Sequence, residues 1–378
     1  MKKILYFIPL LFFVLQSCEI KDEYVHDKGL YKIDWEAAAD SSTMSLVDRF
    51  WNTEQHYFNY ENDGADKSFH YWAQAHAMDV IIDAYLRTGD SKYSDLFDQW
   101  YTGIKAKNRG RYWNDFYDDM EWITLTMIRL YKATNDQKYL DTAQDMWDDI
   151  KSGWNDYAGG GIAWKHTRPS SKNACSNGPA ALIAAHLYHI NKNEEDLQWA
   201  IRIYEWLRET LFDPATGAVY DNINGDTGEI ATFTLSYNQG TFLGAAHQLY
   251  KITGKENYLK DARKAANYGI SNSNRIDTGN NVLRDEGKGD GGLFKGIFIR
   301  YYLDLTLEPN LEMAYKKKFT TFFKNNAETL WREGVNKLDL LYNTNWAVPL
   351  SGSTTQLTTH TSGCTLIEAK ARFEKSTK

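Results

Sequence analysis

The chain has 378 residues, 43% hydrophobic and 25% charged, with 6 Pro and no low-complexity run; this excludes a disordered protein and leaves core enough for one large domain or two small ones. Its 43 Lys and Arg against 50 Asp and Glu give a net charge of −7 with no basic block, which excludes electrostatic binding of nucleic acid as its business. Aromatic residues, at 15%, are the main excess, and most of them are expected in the core.

Residues 1–17 have the form of an export signal: Lys2 and Lys3, then an apolar run from Ile4 to Leu15 that is too short to span a membrane. The following Leu15-Gln16-Ser17-Cys18 resembles the bacterial lipobox, in which the cysteine is lipidated and becomes the mature N-terminus. Cys18 is then expected to anchor the chain in outer-membrane lipid. Residues 18–32 form the tether, and the acidic stretch Glu19-Ile20-Lys21-Asp22-Glu23 resembles the signal that carries Bacteroidetes lipoproteins to the cell surface. Residues 33–378 make one domain, expected to be a monomer.

Within that domain a pattern recurs: an apolar helix ends in Tyr-x-x-Thr, a tight turn follows, and a second helix begins with Tyr or Leu. It occurs at Tyr85–Thr88, at Tyr131–Thr134, in degraded form at Tyr188–Asn191, and at Tyr250–Thr253, with a variant fifth copy at Leu303–Thr306. Gly or Asn beyond a helix end is a C-cap signal, so each copy predicts the corner of a helical hairpin. The corner tyrosines lie 46, 57 and 62 residues apart, too far and too unevenly for a tetratricopeptide-type array.

The two helices of a hairpin differ. After Tyr131 one stripe of Tyr139, Leu140, Ala143, Met146, Trp147 and Ile150 is interleaved with acids and amides, the pattern of a helix wet on one side. The preceding helix carries Trp122, Ile123, Leu125, Met127, Ile128 and Leu130 nearly all round, which predicts burial on most faces. Alternating buried and half-wet helices imply an inner ring inside an outer one. Taking Asp34 to Tyr57 as the opening outer helix and Thr355 to Glu374 as the closing inner one, the all-α chain makes six hairpins and an (α/α)6 barrel. Closure removes the exposed apolar ends that an open solenoid must cap. The long loops Lys105–Asn114, Gly153–Asn173, Phe212–Thr234 and Ser271–Gly292 all precede inner helices, so they gather at one end.

At that end lies Tyr112-Trp113-Asn114-Asp115-Phe116-Tyr117-Asp118-Asp119-Met120-Glu121-Trp122. The adjacent acids fall in the first turn of an inner helix, where negative side chains meet the helix's positive end; a plain charge pair would look the same. Their aromatic company points further, because flat apolar faces and two carboxyls are what cleavage of a sugar linkage needs.

Several strings together resemble glycoside hydrolase family 76, the bacterial endo-α-1,6-mannanases, over about Asp34 to Ala371. They are Asp118-Asp119-x-x-Trp122, Gly159-Gly160-Gly161-Ile162-x-Trp164, Asn173-x-x-x-Asn177, Tyr220-Asp221, Tyr237-Asn238-Gln239-Gly240-Thr241 and Phe294-Lys295-Gly296-Ile297-Phe298-x-Arg300-Tyr301. The resemblance implies an (α/α)6 barrel, an α-mannan polysaccharide or oligosaccharide as partner, and retaining cleavage with Asp118 as nucleophile and Asp119 as general acid/base. It implies no cofactor. Adjacent residues point about 100° apart in a regular helix, so both can serve one cleft only where the helix is starting. Tyr117 departs from the small polar residue expected there and is expected to alter the neighbouring subsite.

Other roles follow less directly. Tyr237, Asn238, Gln239, Asn177 and Asp221 are candidates for hydrogen bonds to sugar hydroxyls, although Asn238 would serve equally as a helix cap. Trp72, Trp113, Trp122 and Trp164 are candidate stacking platforms or core. Lys295 and Arg300, in an apolar setting, are expected to pair with carboxylates at the cleft, a structural role being the alternative for Arg300. Tyr220–Glu229 fails the calcium-loop spacing and reads as a polar loop. Cys175 and Cys364 are expected as unrelated buried thiols, a disulfide between them being the alternative. No Cys/His cluster has zinc spacing. A non-catalytic glycan-binding lipoprotein with the same cleft, or another (α/α)6 glycosidase, remains as an alternative reading.

Overall fold

The hairpin corners are built from the repeated Tyr-x-x-Thr. In the computed structural model, which describes residues 32–377, Gly89, Asn135, Lys192 and Gly254 each adopt a left-handed conformation and donate their backbone N–H to the carbonyl of Tyr85, Tyr131, Tyr188 and Tyr250. The threonine does two jobs. The hydroxyls of Thr88, Thr134 and Thr253 donate to the carbonyls of Ala84, Leu130 and Leu249 and accept the N–H groups of Asp90, Asp136 and Lys255. This satisfies groups that a helix end otherwise orphans and fixes the exit direction of the chain. Asp90, Asp136 and Asn193 then cap the following helices. The fifth corner differs: Leu307 is right-handed and Pro309 lies beyond it.

Among the described residues there are twelve α-helices. The outer six are α1 (Trp35–Phe50), α3 (Ser91–Lys107), α5 (Gln137–Ser152), α7 (Glu194–Thr210), α9 (Glu256–Ser271) and α11 (Met313–Thr329). The inner six are α2 (Tyr71–Thr88), α4 (Tyr117–Thr134), α6 (Gly178–Asn191), α8 (Ser236–Thr253), α10 (Gly291–Thr306) and α12 (Leu357–Ser376). Each inner helix packs on the next and α12 packs back on α2, so the ring closes into the expected (α/α)6 barrel within the unit from Trp35 onward. The predicted stripe of α5 is buried, and α8 is buried at every residue from Asn238 to Tyr250. Two glycines let inner helices approach closely. A Cβ on Gly240 would lie 2.7 Å from the Phe298 backbone, and one on Gly296 2.8 Å from the Ser362 backbone, which explains the glycines in the Tyr237–Thr241 and Phe294–Tyr301 strings.

Two expectations need correction. The opening helix stops at Phe50, and Trp51–Asn52 pairs antiparallel with Tyr57–Phe58; Asn52 accepts the N–H groups of Glu54 and Gln55 and His56 is left-handed, a turn in place of helix. The helical barrel also carries short strands at its mouth. A four-stranded antiparallel sheet forms from two of the mouth loops, in the order β1 (Ala163–Lys165), β2 (Arg168–Asn173), β3 (Asn222–Asn224) and β4 (Ile230–Ala231). The stretch expected as a polar loop after Asp221 is thus its β3–β4 hairpin. The signal sequence, Cys18 and most of the tether lie outside the described residues.

Candidate active site

The sheet explains how distant loops reach Asp118 and Asp119. Lys165 of β1 bridges to Phe116, and the His166 N–H donates to the Asp115 carbonyl at 3.0 Å, fastening the β1–β2 turn to the start of α4. That brings Trp164 over the first turn of α4, edge-on to Phe116 at 5.1 Å. At the other end of β2, a short turn over Ala174–Ser176 leads into α6, and the Ala174 N–H donates to the Asp221 carbonyl at 2.8 Å. Cys175 and Asp221 therefore arrive together.

The two acids, both half-buried, have unequal surroundings. Asp118 receives three neutral donors: Trp164 Nε1 and Cys175 Sγ each lie 3.3 Å from Oδ2, and the Asp119 backbone N–H lies 3.1 Å from Oδ1. Burial pushes its carboxyl up to about 6, and these donors oppose the rise. Asp119 is pushed well above the usual carboxylate range by burial and by the charges of Asp118 and Asp290. At neutral pH this leaves one anion beside one carboxylic acid, an arrangement able to attack and to protonate.

Around the pair the expected site residues divide. Tyr237 stacks on Phe294 at 4.2 Å. Asp221, whose charge acts on both Cys175 and Tyr237, accepts from Asn238 and Asn222 at 2.8 Å each. Trp72 is half-buried and donates from Nε1 to Asp290 Oδ1 at 3.2 Å. Trp113 lies on the rim between His166, at 5.0 Å, and the Arg111 guanidinium, at 4.7 Å.

The others serve the scaffold. Asn177 is fully buried and holds Ile162 at both ends, accepting its N–H at 2.8 Å and donating to its carbonyl at 3.0 Å; its remaining bond goes to the Asn173 carbonyl. Gln239, also fully buried, donates to the Gly217 and Ala265 carbonyls and accepts from the Val219 N–H at 2.6 Å. Asn238 is buried and its Nδ2 donates to Asp221 Oδ1 at 2.8 Å, while its Oδ1 has no hydrogen-bond partner among the described residues; it does not cap α8, whose N-cap Leu235 makes no side-chain bond. Trp122 is 3% exposed and packs on His76 at 4.8 Å, behind Trp72. Lys295 pairs with no cleft carboxylate: its ammonium donates to the Thr344 carbonyl and sits 4.4 Å over the Trp346 ring. Arg300 is deep in the barrel on Asp83, at 2.9 Å, and Asp79. Tyr117 turns away from the cleft, stacking on His166 at 4.0 Å and covering Gly153, so it packs α4 against the end of α5.

Residues the strings did not single out are Cys175, Asp290 and Glu121. Cys175 lies inside Asn173-x-x-x-Asn177, and Asp290 directly precedes α10. Glu121 is fully buried, and neither carboxyl oxygen has a hydrogen-bond partner among the described residues; burial and the charge of Asp118 push it well up, so it is held neutral. Cys175 and Cys364 are both free and buried, as expected, but Cys175 is tied to the candidate nucleophile. Among the described residues no group of three His, Cys, Asp or Glu is placed to hold a metal ion.

A closed (α/α)6 barrel whose loop-bearing mouth presents two unequal adjacent carboxyls among aromatic rings has the make-up of a glycoside hydrolase. The sequence profile of glycosyl hydrolase family 76 matches residues 34–377, and the chain belongs to that family. An α-1,6-mannanase of this family from a Salegentibacter species is 43% identical and superposes with a TM-score of 0.86, over 90% of this chain and 99% of that one. An inactive variant of the same enzyme, with two consecutive aspartates replaced by alanine, is known in complex with α-1,6-mannotetrose. A mannan endo-1,6-α-mannosidase of Candida glabrata is 26% identical over 221 residues, which is 54% of this chain and 45% of that protein. The chain thus matches about half the length, or less, of that fungal relative. A family 76 mannosidase of Bacteroides thetaiotaomicron, 22% identical with a TM-score of 0.78 over 91% of this chain, shares the fold.

Proposed function

We propose that the protein is a retaining endo-α-1,6-mannanase. The observation that carries the mechanism is the unequal environment of the adjacent acids: Asp118 has three donors that favour its anion, whereas Asp119 has two acidic neighbours that favour its protonated form. In the first step the Asp118 carboxylate attacks the anomeric carbon while Asp119 gives its proton to the departing glycosidic oxygen. In the second, Asp119 takes a proton from water, which displaces Asp118 and restores the original configuration. The substrate is inferred from the relatives that act on or bind α-1,6-mannan.

The test is incubation of protein lacking residues 1–18 with debranched, linear α-1,6-mannan. A spread of oligosaccharides is expected before mannose accumulates, with the α-anomer released first. Mannose alone from the outset would overturn the endo reading, and an initial β-anomer would overturn retention. Because Asp118 must be ionised, kcat/KM is expected to fall as pH drops through about 6.

We also propose, from Leu15-Gln16-Ser17-Cys18 and the acidic tether, that Cys18 is lipidated and holds the enzyme on the outer membrane, facing outwards. Cys18→Ala is expected to move the protein from the outer-membrane fraction to a soluble one; equal membrane retention would exclude the anchor.

A further inference from the structure

We infer that Cys175 is a positioning residue for the nucleophile, with its thiol held by its own buried turn so that its proton points at Asp118. The inference rests on the reading of Asp118 as the nucleophile.

The geometry is directional. Cys175 Sγ is 3.3 Å from Asp118 Oδ2, and an ionised carboxylate can only accept, so the thiol is the donor. The sulfur is pinned from behind: the Ala174 N–H bonds to Asp221, the Asn177 N–H to Ala174, and Asn177 clamps Ile162. Cys175 is 4% exposed and its thiol is pushed well up, first by burial and then by the Asp118 charge. It is therefore no nucleophile itself.

A weak donor suits this place. A cation on Asp118 would hold it ionised at the expense of its reactivity, whereas an indole N–H and a thiol orient Oδ2 while leaving the carboxylate basic enough to attack. Loss of the thiol removes one of the contributions that lower the Asp118 pKa, so the acid limb of activity moves to higher pH.

The experiment compares Cys175→Ala, Cys175→Ser and Asp118→Asn with the parent enzyme on linear α-1,6-mannan, with melting temperatures recorded to show that each is folded. Cys175→Ala is expected to lose about ten-fold in kcat with little change in KM, and its acid limb to rise by about half a pH unit to one unit. Cys175→Ser, which keeps a donor, is expected to recover most of kcat and return the limb towards the parental pH. Parental kcat and pH profile in Cys175→Ala would overturn the inference. Equal losses in Ala and Ser with an unmoved acid limb would also overturn it and leave packing as the only role. An active Asp118→Asn would overturn the reading of Asp118, and the inference with it.

Discussion

Asp118→Asn and Asp119→Asn are each expected to lower mannan cleavage by about three orders of magnitude or more, but in different ways. Asn at 118 cannot attack, so no substrate rescues it. Asn at 119 still leaves a nucleophile. An aryl α-mannoside, whose leaving group needs no proton, should therefore show a burst of phenol in that variant, and azide, which needs no general base, should restart turnover. Equal behaviour of the two variants on the aryl substrate would undo the division of roles. Both changes should also stabilise the fold at neutral pH. The folded-state pKa of each acid is raised, with burial the first cause. Ionisation is thus harder in the folded than in the unfolded chain, and the penalty is absent below the unfolded value of about 4 and fully present above the folded one. For Asp118 the window closes as pH falls from about 6. Melting temperatures of the Asn variants should exceed the parent's at pH 7 and approach it near pH 4; a lower value at pH 7 would show that the carboxyls stabilise the scaffold.

The hairpins were legible because Tyr-x-x-Thr-Gly/Asn is local chemistry: the turn's own atoms satisfy the helix ends, so the pattern survives in sequence. Ring closure was legible because helices buried all round must be enclosed. The mouth sheet was not, since its strands run two to six residues and β2 reads Arg-Pro-Ser-Ser-Lys-Asn, with no apolar alternation. Within the site, consecutive acids among aromatics stood out, whereas an amide has two readings. Asn177 and Gln239 sit where loops meet inner helices, and there buried backbone groups need partners as much as a sugar would. Only their partners tell the two uses apart. Tyr117 misled for a geometric reason: a residue one place before Asp118 points about 100° away, here towards His166 and α5. Cys175 and Asp290 reach the acids from other loops, so no spacing near Asp118 announces them.

Arg129→Met is expected to destabilise the barrel by about 3–5 kcal/mol, a fall in melting temperature of about 4–7 °C, while leaving kcat of the folded enzyme near the parent's. Arg129 comes from α4, below the turn that carries Asp118 and Asp119, into a cavity of about 450 Å³ that also meets His76, Asp79, Asp83 and Arg300. Its guanidinium lies 2.8 Å from Asp79 Oδ1 and also bonds Asp83, and Arg300 reaches Asp83 at 2.9 Å. The cluster joins α2, α4 and α10 across the ring. All four side chains are mostly buried, Arg129 at 22% exposed and Asp79 at 6%, so removal of one cation leaves carboxylates desolvated and short of charge. Burial acts against ionised Asp83, but Arg129 and Arg300 outweigh it and hold its carboxyl below the usual range. That contribution is present above the unfolded carboxylate value of about 4 and is lost as pH falls through the folded one. The gap between parent and Arg129→Met should therefore be widest near pH 7 and narrow below pH 4. Adding Asp83→Asn to Arg129→Met should recover part of the loss, because the second change removes the charge that the first left unpaired. A loss under about 1 kcal/mol, or losses that simply add in the double variant, would mean that the ring is held by apolar packing and that the cluster merely fills its lumen.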